Sequence, residues 1–154
     1  FNFIQGLETL PLRFQKHQDN TEKIADYLAS KKNVKRVIHP KFQLGINKER
    51  ADKYLENGNG PLVGFELEGG IEAGKAFINN LELIYHVANI GDARTLAIHP
   101  ASTTHSQLST EDQLRAGVTP GYIRLSVGIE HIDDIINDID QAINKAQEKV
   151  KNVA

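Results

Sequence analysis

The sequence of 154 residues contains no cysteine, no methionine and no tryptophan. Without cysteine there is neither a disulfide framework nor a thiolate nucleophile, and a cytoplasmic setting fits that absence. An excess of one charge is also missing: 18 basic and 20 acidic residues leave a net charge of −2, with both signs mixed along the chain. That mixture leaves no footprint for nucleic acid or for an anionic membrane surface. No apolar run reaches the length of a membrane span, and no secretory signal is visible. Internal repeats, linkers and low-complexity stretches are absent too. The lack of methionine, together with a start at Phe1, leads to the expectation that this is a piece of a longer chain.

What remains is ordinary for a globular domain, 40% hydrophobic and 25% charged, and the length is enough to bury a sizeable core. The expected organisation is one domain over 1–154, led by a helix over 1–31. Leu7, Leu10, Phe14, Thr21, Ile24 and Leu28 recur at helical spacing, with His17 in the gap. Pro11 within that pattern predicts a kink or a helix start. "VKRVIHP" reads as a short strand ended by proline. A charged helix is expected around Lys48–Leu55, broken by "NGNGP". In "LVGFELEGG", Val63, Phe65 and Leu67 alternate with Gly64, Glu66 and Glu68, which predicts a strand with one buried and one wet face. A helix over Ile71–Asn80 presents Ala73, Ala76 and Phe77.

"LIYHVA" and "TLAIH" are further strand candidates, joined by "NIGDAR", which reads as a tight turn between them. Ser109 is placed to cap a short helix, with Asp112 as a weak capping-box partner. "GYIRLSVG" is the clearest strand: Ile123, Leu125 and Val127 point one way, Tyr122, Arg124 and Ser126 the other. The final helix carries one apolar stripe from Ile132 through Ile135, Ile136, Ile139 and Ile143 to Ala146. Its acids lie early and its lysines late, in agreement with the helix dipole. The fold class expected is α+β, a mainly antiparallel sheet with helices on one face and the other face free.

Arg124 is the residue most suited to binding. A guanidinium on a rigid strand presents a planar fork matched to a carboxylate or phosphate, although an ordinary solvated arginine satisfies the same pattern. His86, His99 and His105 have no metal-ligand spacing and no carboxylate to complete a set. The segment "HPASTTHSQLS" is rich in hydroxyls and histidine but has no nucleophile-elbow pattern. "NIGDAR" is no glycine-rich phosphate cradle. Glu66 and Glu68 are expected to be solvated together on the wet strand face. From the residues alone, no reaction follows.

The stretch from "HVANIGDARTLAIHPASTTHSQLS" through "GYIRLSVGIEHIDDIINDIDQA" resembles the C-terminal region of the Cys/Met-metabolism family of pyridoxal-phosphate enzymes. Within that family it is most similar to the O-acetylhomoserine sulfhydrylases, and "QGLETLPLR" matches the helix leading into the same region. The resemblance implies the small C-terminal domain of the fold type I (aspartate-aminotransferase-like) architecture. It also implies γ-replacement of acetate by sulfide or methanethiol on pyridoxal phosphate, giving homocysteine or methionine.

Three substrate-binding positions carry over: Arg124 as the clamp for the substrate α-carboxylate, Thr104 as a hydroxyl near the substrate, and Asn89 near the same carboxylate. Asn89 stands where many family members have serine, which fits the sulfhydrylase branch better than a γ-lyase. The family's cofactor lysine and phosphate-cup residues belong to a large domain whose motifs are not found in this sequence. The resemblance therefore implies no catalytic or cofactor-binding residue here, no metal, a missing large domain as partner, a homotetramer for the whole enzyme, and an inert chain in isolation. A cystathionine γ-synthase or γ-lyase type of enzyme, a stand-alone module binding a small carboxylate, and a purely structural domain remain as alternatives.

Overall fold

In the computed structural model, which describes residues 1–153, six helices and five strands follow one another along the chain. They are α1 (Asn2–Glu8), α2 (Leu10–Ala29), β1 (Val34–Ile38), α3 (Ile46–Tyr54), β2 (Leu62–Leu67), α4 (Gly70–Asn79), β3 (Tyr85–His86), β4 (Leu96–Ile98), α5 (Thr110–Arg115), β5 (Tyr122–Ser126) and α6 (Ile132–Val153). Short 3₁₀ turns follow β1 at Pro40–Phe42 and β4 at Pro100–Ser102. The strands form one mixed sheet in the order β1-β2-β5-β4-β3, antiparallel except for the β3–β4 pair at one edge. This is the expected α+β class with a mainly antiparallel sheet.

Alternation along β2 and β5 decides what each face does. Val63, Phe65, Leu67, Ile123, Leu125 and Val127 are all buried on the back face. There they meet Ile24 and Leu28 of α2, Phe77 of α4, and Ile135, Ile139 and Ile143 of α6 in one hydrophobic cluster. Phe65 and Phe77 meet edge to face with centroids 5.5 Å apart, an arrangement favoured by the ring quadrupoles. The long helices cover the back as the pattern requires, whereas α3 borders the opposite face.

Buried polar groups tie the surrounding loops to this core. The Asp138 carboxylate of α6 accepts the backbone N–H groups of Glu82, Leu83 and Ile84 at 2.9–3.0 Å. Asn20 donates to the carbonyls of Gly128 and Glu130, and Glu130 in turn accepts from the Thr95 amide and hydroxyl. His17 bonds the Val127 carbonyl through Nδ1 at 2.6 Å. These bonds satisfy groups whose burial would otherwise carry a desolvation penalty.

Four expectations are corrected. The leading segment is two helices, broken at Thr9, with Pro11 in the first turn of α2 where its missing N–H costs nothing. The helical stripe also divides: His17, Thr21, Ile24 and Leu28 are buried, but Leu7, Leu10 and Phe14 are exposed. Glu66 is buried rather than wet, held by Arg36 at 3.0 Å and Lys35 at 3.5 Å from β1, while Glu68 stays exposed. "NIGDAR" does not turn a hairpin, because β3 and β4 run parallel. The chain leaves β3 at Val87 and loops back to enter β4 at the end where β3 began.

Candidate functional site

The site is built on the front face of the sheet, and register arranges it. Across the strands, Ile38 pairs with Gly64, Gly64 with Arg124, and Arg124 with Ile98. The adjoining row runs Arg36, Glu66 and Tyr122. Side chains of one row share a face, so Arg124 stands between two isoleucines with a glycine beside it. Glu66, the acid of that adjoining row, is already paired with Arg36 and Lys35. Among the described residues Arg124 forms no ion pair; its Nη2 donates to the Asn89 carbonyl at 3.3 Å, and its Nε is buried without a partner. An uncompensated guanidinium on a rigid strand is a prepared anion contact.

The β3–β4 loop delivers Asn89 to this place. Gly91, at φ +80°, bends the loop, and its amide donates to the Ser126 hydroxyl on β5. The Asn89 Oδ1 accepts the Ile90 amide at 2.9 Å. That leaves the carboxamide's Nδ2 as the group to offer a ligand.

The His99–Ser109 segment supplies the other rim, and His99 anchors it. Its buried ring donates from Nε2 to the Pro120 carbonyl at 2.7 Å, so Nδ1 accepts from the Ser102 hydroxyl at 2.7 Å. Burial pushes the His99 pKa below the ordinary histidine value and keeps the ring neutral, as this bonding requires. Gly74 of α4 makes room: a Cβ there would lie 2.4 Å from the imidazole. Gln113 of α5 donates to the carbonyls of Ala101 and His105 and closes the segment from outside. Thr104 is exposed at its crest, its hydroxyl hydrogen-bonded to His105 Nδ1 at 2.8 Å.

Arg124, Asn89 and Thr104 all line one cavity of about 690 Å³, with Ile98, Pro100 and Val118 among its apolar walls. A second cavity, of about 600 Å³, opens towards α3 and is lined by His39, Arg50, Tyr54 and Leu62. Ile38, Tyr122 and Arg124 border both. No aspartate, glutamate or lysine lines either cavity. In the first cavity the Arg124 guanidinium, the Asn89 amide and the Thr104 hydroxyl are donors suited to a carboxylate. Among the described residues no cluster of three or more His, Cys, Asp or Glu could hold a metal, and no helix is long and apolar enough to cross a membrane.

Sequence reasoning named Arg124, Asn89 and Thr104, and the fold brings them to one cavity. It overlooked the part played by Gly64 and the tie from Ser126 to Gly91. The small residue at a wet position of β2 was the available signal, since glycine in a strand marks a close approach.

The chain is 50% identical over 144 residues to the O-acetyl-L-homoserine sulfhydrylase of Leptospira meyeri, covering 93% of this chain and 33% of that protein. It is 46% identical to the homocysteine synthase of Schizosaccharomyces pombe, over 95% of this chain and 34% of the relative. An L-methionine gamma-lyase of Fusobacterium nucleatum is 39% identical over 94% of this chain and 36% of the relative. The chain thus spans about a third of the length of the curated relatives it matches. A solved structure from Campylobacter jejuni, a candidate O-acetylhomoserine (thiol)-lyase carrying a pyridoxyl-lysine monophosphate, superposes with a TM-score of 0.83 at 42% identity, over 91% of this chain and 33% of that one. Residues 1–144 match the family model described as Cys/Met metabolism PLP-dependent enzyme. On this similarity and this architecture, the chain belongs to the Cys/Met metabolism family of pyridoxal-phosphate-dependent enzymes.

Proposed function

We propose that residues 1–154 form the small, C-terminal, substrate-binding domain of a fold type I enzyme that acts as an O-acetylhomoserine sulfhydrylase. In this reading acetate on the γ-carbon is replaced by sulfide or methanethiol. The observation that carries it is the convergence of Arg124, Asn89 and Thr104 on one cavity free of acids, in a chain about half identical to a sulfhydrylase.

The cofactor itself does not fit the residues present. No lysine lines either cavity, and the permanent positive charges among the lining residues are the guanidiniums of Arg124 and Arg50. Pyridoxal phosphate supplies the electron sink of this chemistry, and in this proposal the remainder of the enzyme holds it. The work of this chain is to bind and orient. Arg124 takes the substrate carboxylate on its planar edge, with the Asn89 Nδ2 alongside. The isoleucines on either side, Ile38 and Ile98, thin the water around the pair and strengthen it. Thr104 stands at the rim, within the reach of a polar substituent. Fixing the carboxylate at one end of a small amino acid sets the direction in which its γ-substituent points.

The partner implied is a large domain of the same enzyme. The exposed face of Phe3, Ile4, Leu7 and Leu12 on α1 and α2 is the surface proposed to meet it. A homotetrameric whole enzyme and a cytoplasmic setting belong to the same proposal. The similarity to methionine gamma-lyases gives elimination as the second reading, and asparagine rather than serine at position 89 favours the sulfhydrylase.

In the whole enzyme, Arg124→Ala should raise the KM for O-acetylhomoserine about 100-fold, the loss expected for a charge-assisted pair. An unchanged KM would remove Arg124 from the site. Homocysteine formation that requires sulfide marks replacement, whereas 2-oxobutyrate without a thiol acceptor marks elimination. The chain by itself, given cofactor, substrate and sulfide, should form no homocysteine.

A further inference from the structure

Arg124 borders two cavities, yet a small carboxylate needs only one. Tyr122 stands with Arg124 and Ile38 on the border of both. A Cβ built at Gly64 would lie 2.6 Å from both Cε2 and the hydroxyl of Tyr122. The phenol therefore lies down across the sheet into the space that a side chain at position 64 would fill. Tyr122 precedes Arg124 by two residues on the same face of β5 and pairs with Glu66, so leaning along the strand brings its ring over the Gly64–Arg124 row. The ring is half-buried, and burial raises its pKa while the Arg124 charge lowers it, so the phenol remains neutral beside the guanidinium.

Resting on the carboxylate-binding reading of Arg124, we propose that Tyr122 is a specificity-determining residue and that Gly64 positions it. The ring is a partition: it keeps the ligand body in the cavity of Asn89 and Thr104 and closes the largely apolar cavity beneath α3 to it. The ligands admitted are small α-amino acids with short, unbranched side chains. Larger amphipathic carboxylates, whose apolar bodies the α3 cavity could otherwise accommodate next to Arg50, are excluded. Removing the ring joins two spaces of about 690 and 600 Å³ and should broaden the range of ligands.

The test measures competitive inhibition of the whole enzyme by alanine, norvaline, norleucine and phenylalanine. In wild type, inhibition should weaken from norvaline to phenylalanine. In Tyr122→Ala, the ratio of the phenylalanine to the norvaline inhibition constant should fall about tenfold or more, the discrimination that pocket walls commonly supply. Gly64→Ala provides a second route, since its methyl displaces the ring. It should weaken norvaline binding when Tyr122 is present and have little effect in the Tyr122→Ala background, a non-additivity that a merely structural glycine would not produce.

A selectivity ratio unchanged by Tyr122→Ala, or equal losses from Gly64→Ala in both backgrounds, would overturn the partition. Arg124→Ala separates the two proposals: if it leaves inhibition by all four amino acids intact, the carboxylate-binding reading itself fails. If it abolishes inhibition while the ratio is unmoved in Tyr122→Ala, only the partition fails.

Discussion

The two faces of β5 put four consecutive residues, Tyr122 to Leu125, to opposite uses. Ile123 and Leu125 point back and are wholly buried in the cluster with α2, α4 and α6. Tyr122 and Arg124 point forward onto open cavities, and Arg124 keeps one hydrogen bond at 3.3 Å and an unpartnered Nε. The back face holds the domain together. On the front face Arg124 is left unsatisfied, which is how a binding residue differs from a core one. A residue that binds a ligand must not already be satisfied by the protein, so it contributes little to folding.

The sharpest test of this contrast is to weaken the back. Phe65→Ala or Ile123→Ala should lower the unfolding free energy by roughly 2–5 kcal/mol, measured by urea titration, because each leaves a cavity in a fully buried cluster. A loss below about 1 kcal/mol would mean that the cluster is not the centre of stability. Next in size, Asp138→Ala should cost about 2–3 kcal/mol, since it releases three backbone amides ahead of β3. Hydrogen exchange at Leu83 and Ile84 should accelerate in the same variant.

Acid should act on stability through two buried histidines. Burial lowers the pKa of both His39 and His99 in the folded chain. Between each folded value and the unfolded value of about 6.5, the unfolded chain binds more protons. Stability therefore falls as the pH drops below about 6.5, and thermal midpoints measured from pH 8 downward should show it. A flat profile to pH 5 would contradict neutral, buried rings. The smallest effect belongs to the front: Arg124→Ala should change the unfolding free energy by no more than about 0.5 kcal/mol while removing carboxylate binding. A destabilisation as large as that of Ile123→Ala would erase the distinction between the faces.

The period-two pattern of "GYIRLSVG" and "LVGFEL" made the faces of β2 and β5 readable, and the stripe of α6 placed that helix against them. Asp133, Asp134 and the later lysines agree with its direction. The same logic misread Glu66, because alternation reports which side a residue faces and not whether Arg36 and Lys35 on a neighbouring strand will cover it. It misread Leu7, Leu10 and Phe14 for the complementary reason. A helical apolar stripe announces a partner, and within this chain only the second half of α2 finds one. "NIGDAR" reads as a tight turn between two strands, because local composition does not reveal whether an edge strand pairs parallel or antiparallel.

For the site, strand geometry by itself pointed to Arg124, and resemblance to a family added Asn89 and Thr104. Their meeting depends on contacts remote in sequence. Ser126 holds Gly91 across 35 residues, and His99 reaches Pro120 across 21. The amino-acid order alone determined the class of fold, the strand that carries the guanidinium and the side it faces, since those depend on periods of two and 3.6 residues. The register that lays Gly64 beside Arg124, the fall of the Tyr122 ring into that gap and the division of the front face into two cavities were decided by the tertiary structure. They arise where separate strands and loops come within van der Waals reach, and no local spacing encodes that distance.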